Sequence, residues 1–212
     1  MSTSFLTPEI IVKEAVFIAD QSGLSNLSMR RLGRELGVEA MALYHHFSSK
    51  KELVEEMLGY VHGEIIVPND IADWRTCMRA RATSVLEVLI RHPWAASLME
   101  SGVNPTVATM QDREYMARCL RKAGFSLETI VHATTLLDVY IYGGVQQYVS
   151  LTFSSSEGAA KISKSIAQKF DMKDYPYFSE ILTGYISVGK YDPLDEFYYG
   201  LEVILDGIDR LK

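Results

Sequence analysis

The stretch LSMRRLGRELGVEAMALYHHFSSKK, Leu27 to Lys51, decides how this chain is read. Its apolar positions Leu32, Leu36, Val38, Leu43 and Phe47, broken once at Gly37, fit two short helices meeting at a tight turn, because glycine takes the left-handed C-terminal cap without strain. That is the outline of a helix-turn-helix. The second helix is expected from about Glu39 to His45, presenting the small Ala40 and Ala42 beside Met41, Tyr44, His45 and His46, as suits a helix lying deep in a major groove. Its expected partners are the bases and phosphates of double-stranded DNA.

The chain has 212 residues, of which 48% are hydrophobic, ample for a buried core. No apolar run approaches the ~20 residues that span a bilayer, and MSTSFLTPEI has neither the basic flank nor the apolar centre of a signal peptide. The expectation is a cytoplasmic protein with no membrane partner. Cys77 and Cys119 lie far apart in sequence with no CxxC or Cys/His spacing, so neither a disulfide framework nor a zinc site is indicated, and both read as buried small hydrophobes. The net charge of −6 runs against the basic footprint of a phosphate binder. Its distribution matters more. Leu27 to Lys51 holds five cations (Arg30, Arg31, Arg34, Lys50, Lys51) against two acids (Glu35, Glu39), a locally basic face on an acidic body.

Outward from that stretch, every periodic segment is helical. Thr7-Pro8-Glu9 opens a first helix through Ile10, Ile11, Glu14, Ala15, Ile18 and Ala19, stopped by Gly23, after a disordered arm over residues 1–6. Ser28 starts the second helix, and its hydroxyl reads equally as N-cap and as phosphate donor. Gly33 inside that helix costs about 1 kcal/mol relative to alanine, which close packing would excuse. Ser49-Lys50-Lys51-Glu52 matches a capping box, starting a fourth helix towards Ile66, with Lys50 opposing the dipole unless a phosphate lies near. Val67-Pro68-Asn69-Asp70 divides a domain 1–67 from a larger helical domain 68–212. In the latter, helices are expected over Ile71 to Arg91, ended by His92-Pro93, then Trp94 to Glu100, Thr106 to Ala123, Leu127 to about Leu151, Ala159 to Phe170, and from Asp192-Pro193 onward with a stripe Leu194, Phe197, Leu201, Leu205, Ile208 and Leu211. Gly102 to Pro105 is a break, and Ser154 to Glu157 a capping turn. Residues 171–192 show no firm period. The fold class is all-α: a three-helix DNA-binding domain plus a helical ligand-binding and dimerisation domain.

The blocks LGRELGV and LYHHFSSKKEL resemble the DNA-binding domain of TetR-family transcriptional regulators over about residues 8 to 65. The Arg91-His92-Pro93 break, Gly124 to Glu128 and the closing Phe197 to Ile208 are similar to the tetracycline-repressor class within that family. The resemblance implies a homodimer through helices 127–149 and 193–211 that binds a palindromic operator as a repressor and is released by a small-molecule effector. It implies that Arg30 reaches a base or phosphate, that Ala40, Met41, Ala42 and His45 face the groove, and that Tyr44, His46 and Lys50 hold phosphates, with Ser28 beside them. Arginine can bond guanine bidentately for about 1–3 kcal/mol of discrimination, whereas alanine offers only methyl contact to thymine, so part of the specificity falls to DNA shape. That class holds a magnesium chelate with a histidine near the place of Met99 and a glutamate on the helix of Gln146 and Gln147. This chain has neither there, so no metal or cofactor is expected.

Other residues carry two readings. Tyr44 serves as core aromatic and phosphate donor alike. His45 and His46 diverge by about 100° on a helix with no carboxylate or cysteine at i+4, which argues against a metal. His62 and His132 are structural or pocket residues. Trp74, Met78, Met99, Met110 and Tyr142, singly core residues, together fit an apolar effector pocket oriented by Arg81, Asp138 or Gln147. The terminal stripe either buries within the chain or, with Gly143 and Gly144 allowing close approach, forms the dimer interface. No Ser/His/Asp, Cys/His or phosphate-loop constellation supports an enzyme. The alternative function is a small-molecule-binding helical dimer whose DNA binding is weak or secondary.

Overall fold

Helices account for the regular structure among the described residues of the computed structural model, which are 6–68, 73–100, 106–149 and 156–212. The chain forms two compact units, Met1–Ala123 and Gly124–Lys212.

In the first unit, α1 (Pro8–Ser22) begins where Thr7 Oγ1 accepts from the Ile10 amide at 3.4 Å and proline occupies the first helical position. It buries Ile11, Val12, Ala15, Val16, Ile18 and Ala19, while Ile10 turns outward. Helices α2 (Met29–Leu36), α3 (Ala40–Leu43) and α4 (Lys50–Gly63) close a core with it in which Leu32, Leu43, Leu53 and Met57 are wholly buried. The expected extension of α4 to Ile66 does not occur. The chain turns off at Gly63, the Ile66 amide donates to Ser84 Oγ at 2.8 Å, and the Ile66 side chain is exposed.

Helix α5 (Trp74–Arg91) starts on Asp73, whose Oδ1 accepts from the Arg75 and Thr76 amides at 2.9 and 3.1 Å. A 3₁₀ turn, Pro93–Ala95, takes the place of the expected start of the next helix at Trp94, so α6 is only Ala96–Glu100. Thr106 caps α7 (Val107–Lys122). Because α7 packs on both α4 and α5, and α1 packs on the Pro93 turn, compactness runs continuously past Val67 to Ala123.

In the second unit, α8 (Leu127–Val149) and α11 (Pro193–Asp209) interlock. A Cβ on Gly144 would stand 2.6 Å from the Phe197 ring, and the Tyr140 hydroxyl, lying over Gly200, donates to the Phe197 carbonyl at 2.8 Å. Gly144 therefore serves close approach inside the chain, whereas Gly143 has open space beside it. The stripe Phe197, Leu201, Leu205 and Ile208 is buried, Leu194 is half-buried, and Leu211, beyond the last helical turn, is exposed. Between them lie α9 (Ser156–Lys169) and α10 (Pro176–Ile181), the latter widening into a π turn over Leu182–Ile186, which accounts for the missing period of 171–192. No helix among the described residues is long and apolar enough to cross a membrane. The arm before Leu6, Ile71, the 102–105 break, Leu151 and Ser154 to Ser155 lie outside the described residues.

Candidate nucleic-acid interface

Ser28 Oγ accepts from the Arg31 amide at 3.2 Å and so caps α2 while remaining exposed. At the other end Gly37 takes the left-handed conformation (φ 69°, ψ 28°), with its amide bonded to Arg34 O and the Val38 amide bonded to Gly33 O at 2.9 Å. The tight turn brings α3 against α2 so closely that a Cβ on Gly33 would stand 2.8 Å from Val38 O and 3.2 Å from Ala40 N. This is the packing reason for a glycine inside α2.

The recognition segment is shorter than the expected Glu39 to His45. Glu39 is an extended residue with no capping bond from its side chain, the α-helix is Ala40–Leu43, and Tyr44 to His46 continue in tighter turns that bond three residues back. Buried Leu43 and Phe47 anchor the segment, with the Phe47 amide on Leu43 O at 3.0 Å. Their burial turns Met41 (70% exposed), Tyr44 (47% exposed) and His45 to solvent, while Ala40, Ala42 and His46 are half-buried beside them. The core reading of Tyr44 does not hold.

The cations of this region divide by role. Arg31 is structural, donating to Ser22 Oγ at 2.8 Å. Arg34 pairs with Glu35 and Lys51 with Glu55 on the surface. Arg30 is exposed and makes no ion pair among the described residues. Half-buried Lys50 donates from Nζ to Leu24 O at 3.4 Å, which holds its ammonium in place against the dipole of α4. Ser49 caps α4 by accepting from the Glu52 amide, but the returning bond differs from the expected box: Glu52 Oε2 accepts from the amide and hydroxyl of Ser48, both at 2.6 Å. Those bonds lower the Glu52 carboxyl below its ordinary value and tie the α3–α4 turn.

The expected effector residues are distributed over both units. Trp74 and Met78 are core residues of α5, Met99 is half-buried on α6, and Met110 is half-exposed on α7. Asp138 and Tyr142 are half-buried on α8, and Gln147, exposed on the same helix, lines a cleft of about 450 Å³ with Tyr140, Tyr148, Glu196 and Phe197. Arg81 is buried and engaged with a residue that sequence reasoning missed, Asp112 of α7: Nε to Oδ1 and Nη2 to Oδ2 are both 2.8 Å. His62 of α4 lies beside them, Nε2 3.6 Å from Asp112 Oδ2. Burial by itself would raise the Asp112 carboxyl, but the nearby His62 ring together with the Arg81 hydrogen bonds and charge outweighs it and holds the group far below the usual carboxylate range. A single acid among the apolar positions of α7 was the available signal. The thiols are buried as expected, yet Cys77 and Cys119 are neighbours in space around Tyr115, and burial first of all pushes the Cys119 thiol up to about 12. His132 is exposed, with Glu128 one turn away.

Comparison with known proteins agrees with this geometry. The family described as bacterial regulatory proteins, tetR family, matches residues 11–57, and the tetracyclin repressor-like C-terminal domain matches 67–211. The chain is 30% identical to the HTH-type transcriptional repressor DrrR1 of Streptomyces coeruleorubidus over 97% of this chain and 78% of that protein. It is 26% identical to the tetracycline repressor protein class A from transposon 1721 of Escherichia coli, over 98% and 92% of the two chains. The solved structure of the TetR family protein ActR of Streptomyces coelicolor in complex with actinorhodin has the same fold, with a TM-score of 0.79 at 24% identity over 96% of each chain. The chain belongs to the TetR family of bacterial regulatory proteins and is a DNA-binding transcriptional regulator, not an enzyme.

Proposed function

We propose that the protein is a repressor that occupies a palindromic operator as a two-fold homodimer and is released by a small, largely apolar effector held by its C-terminal helices. The carrying observation is the outward face of α3, where Met41, Tyr44 and His45 stand in solvent beside Arg30, which makes no ion pair among the described residues, while Leu43 and Phe47 are buried behind them. A regulator in which this face had no partner would leave a Met and a Tyr exposed to no purpose. Relatives named as repressors, DrrR1 and the class A tetracycline repressor, support the direction of control.

In this reading Ala40, Met41, Ala42 and His45 enter the major groove, Arg30 bonds a base edge, and Ser28, Tyr44, His46 and Lys50 hold phosphates. Dimerisation is supported by exposed apolar side chains along α8 (Leu127, Val131, Leu136, Val139) and α11 (Tyr199, Val203), the kind of surface a monomer seldom leaves uncovered. Effector binding in one state of the dimer and DNA binding in the other couples the two by the difference in affinities.

The test selects duplexes from a random pool with the full-length protein and footprints the winner. A symmetric footprint with half-sites about one helical turn apart is expected. Its affinity should fall by roughly four decades between about 50 and 200 mM salt if the dimer makes about eight phosphate contacts. Failure to enrich any sequence would overturn the proposal.

A further inference from the structure

The sequence presents His92 as the stop of α5 and as part of the Arg91-His92-Pro93 break. In the structure it closes α5, its amide bonded to Val88 O at 2.9 Å, and its buried ring lies between two carboxylates from different helices. Nδ1 stands 2.8 and 3.0 Å from the oxygens of Asp20 on α1, and Nε2 stands 3.2 Å from Glu64 Oε2 at the end of α4. Trp94 Nε1 donates to Asp20 Oδ1 at 2.7 Å, and Arg91 Nη2 donates to Glu64 Oε2 at 2.8 Å. Tyr60 of α4 also faces this cluster, its hydroxyl raised by burial and then by Glu64 and Asp20. Burial pushes Glu64 up, but its bonds from Arg91 and His92 more than offset this and keep its carboxyl lowered, so it remains an acceptor.

Each ring nitrogen stands within hydrogen-bond reach of a carboxylate oxygen, and the form of the ring that donates to both is the imidazolium. With Arg91 it gives two cations against two anions, with the His92 ring buried, Asp20 and Glu64 half-buried and Arg91 exposed at the edge.

We propose that His92, in its doubly protonated form, is the positioning residue by which α5 holds the C-terminal ends of α1 and α4 and thereby sets the aim of the recognition segment. The link is non-covalent and long in sequence: Asp20 and His92 are 72 residues apart, and Glu64 and His92 are 28 apart. Helix α1 packs on α4, α2 packs on α1 and α3 packs on α2, and α5 carries Trp74, Met78 and Arg81 of the expected effector side. Loss of the imidazolium leaves two carboxylates with one cation, Arg91 on Glu64, and loosens the hold of α5 on the ends of α1 and α4. In a dimer each recognition segment must meet its groove at a fixed spacing, so a small change of aim in each protomer costs specific binding more than general attraction to phosphate. The inference rests on the DNA-regulator reading and adds the element that couples α5 to it.

The experiment uses the full-length wild type, His92→Gln, which keeps bulk and one donor, and Glu64→Gln, which keeps an acceptor but removes one charge. Affinity is measured for the duplex selected by the wild type and for random duplex, with nitrogen-15 spectra of the imidazoles and amide exchange on the same samples. The expected result is a loss of about tenfold on the selected duplex for His92→Gln, within the usual range of coupling between sites. On random duplex the change should stay within about twofold. A smaller loss of the same kind is expected for Glu64→Gln, with faster amide exchange at the ends of α1 and α4 in both variants. The His92 signal in the wild type should show both nitrogens protonated. Equal losses on both duplexes, no loss on either, or a ring with one proton would overturn the proposal. If His92→Gln does not fold, Glu64→Gln and the wild-type spectrum decide. If the wild type selects no duplex, the operator reading fails, and the clamp is still judged by the spectrum and the exchange pattern.

Discussion

Replacing Gly33 by alanine tests how tightly the turn between α2 and α3 sets the DNA-reading surface. Helix propensity alone predicts that Gly33→Ala stabilises α2 by about 1 kcal/mol. The structure predicts otherwise. The added Cβ would stand 2.8 Å from Val38 O, short of an ordinary 3.4 Å contact by about 0.6 Å, and 3.2 and 3.3 Å from Ala40 N and Cα. All three neighbours are backbone, so no side chain can swing aside, and the entry to α3 must move by about half an ångström. Overpacking of this kind costs about 1–3 kcal/mol, which against the propensity gain leaves a net destabilisation of roughly 0–2 kcal/mol. For a chain of this length that is a fall in melting temperature of up to about 8 °C. The functional effect should exceed the stability effect, because α3 is displaced relative to Arg30 on α2 and the two no longer meet the duplex in register. We expect about tenfold weaker binding to the selected duplex, read by fluorescence anisotropy at fixed salt beside thermal melting by circular dichroism. A raised melting temperature with unchanged affinity would refute the reasoning.

Lys50→Ala should weaken selected and random duplex alike and lower the salt slope by about 1 per protomer, whereas Arg30→Ala should cost about 1–3 kcal/mol on the selected duplex and much less on random DNA. Equal losses for Arg30→Ala would remove it from base reading. Asp112→Ala removes the bidentate partner of the buried Arg81 charge and should cost about 3–5 kcal/mol by denaturant unfolding, while Arg81→Met with Asp112→Leu should cost far less. Acid should reveal the same pair. The Asp112 carboxyl titrates lower in the folded chain than its ordinary 3.8, so its stabilisation is complete above that value and is lost as pH falls below it. Melting temperature followed down from about pH 6 should therefore drop more steeply in the wild type than in Asp112→Asn, and parallel curves would contradict the assignment.

The DNA-reading half was legible because its signals act within one or two turns of chain. Ser28 and Ser49 cap the helices they precede, Gly37 takes the left-handed turn, and Leu32, Leu43 and Phe47 fall on the buried side that their spacing required. The same local signals placed the starts of α1, α7 and α11 at Thr7, Thr106 and Asp192. Where competing turns decide an end, spacing was a poor guide: α3 stops at Leu43 because Tyr44, His45 and His46 bond three residues back, and residues 182–186 widen into a π turn.

Sequence by itself determined most of the helix starts, the turn at Gly37 and the family, since each is written in residues within a few positions of one another. Only the tertiary structure decided that Gly144 admits Phe197 of the same chain, that Arg81 is engaged by Asp112 from 31 residues away, and that His92 meets Asp20 and Glu64. Those partners are chosen by how helices dock. Docking brings together charges and ring edges that share no period and no neighbourhood in the chain, and a buried charge is stable only where docking supplies its counterpart.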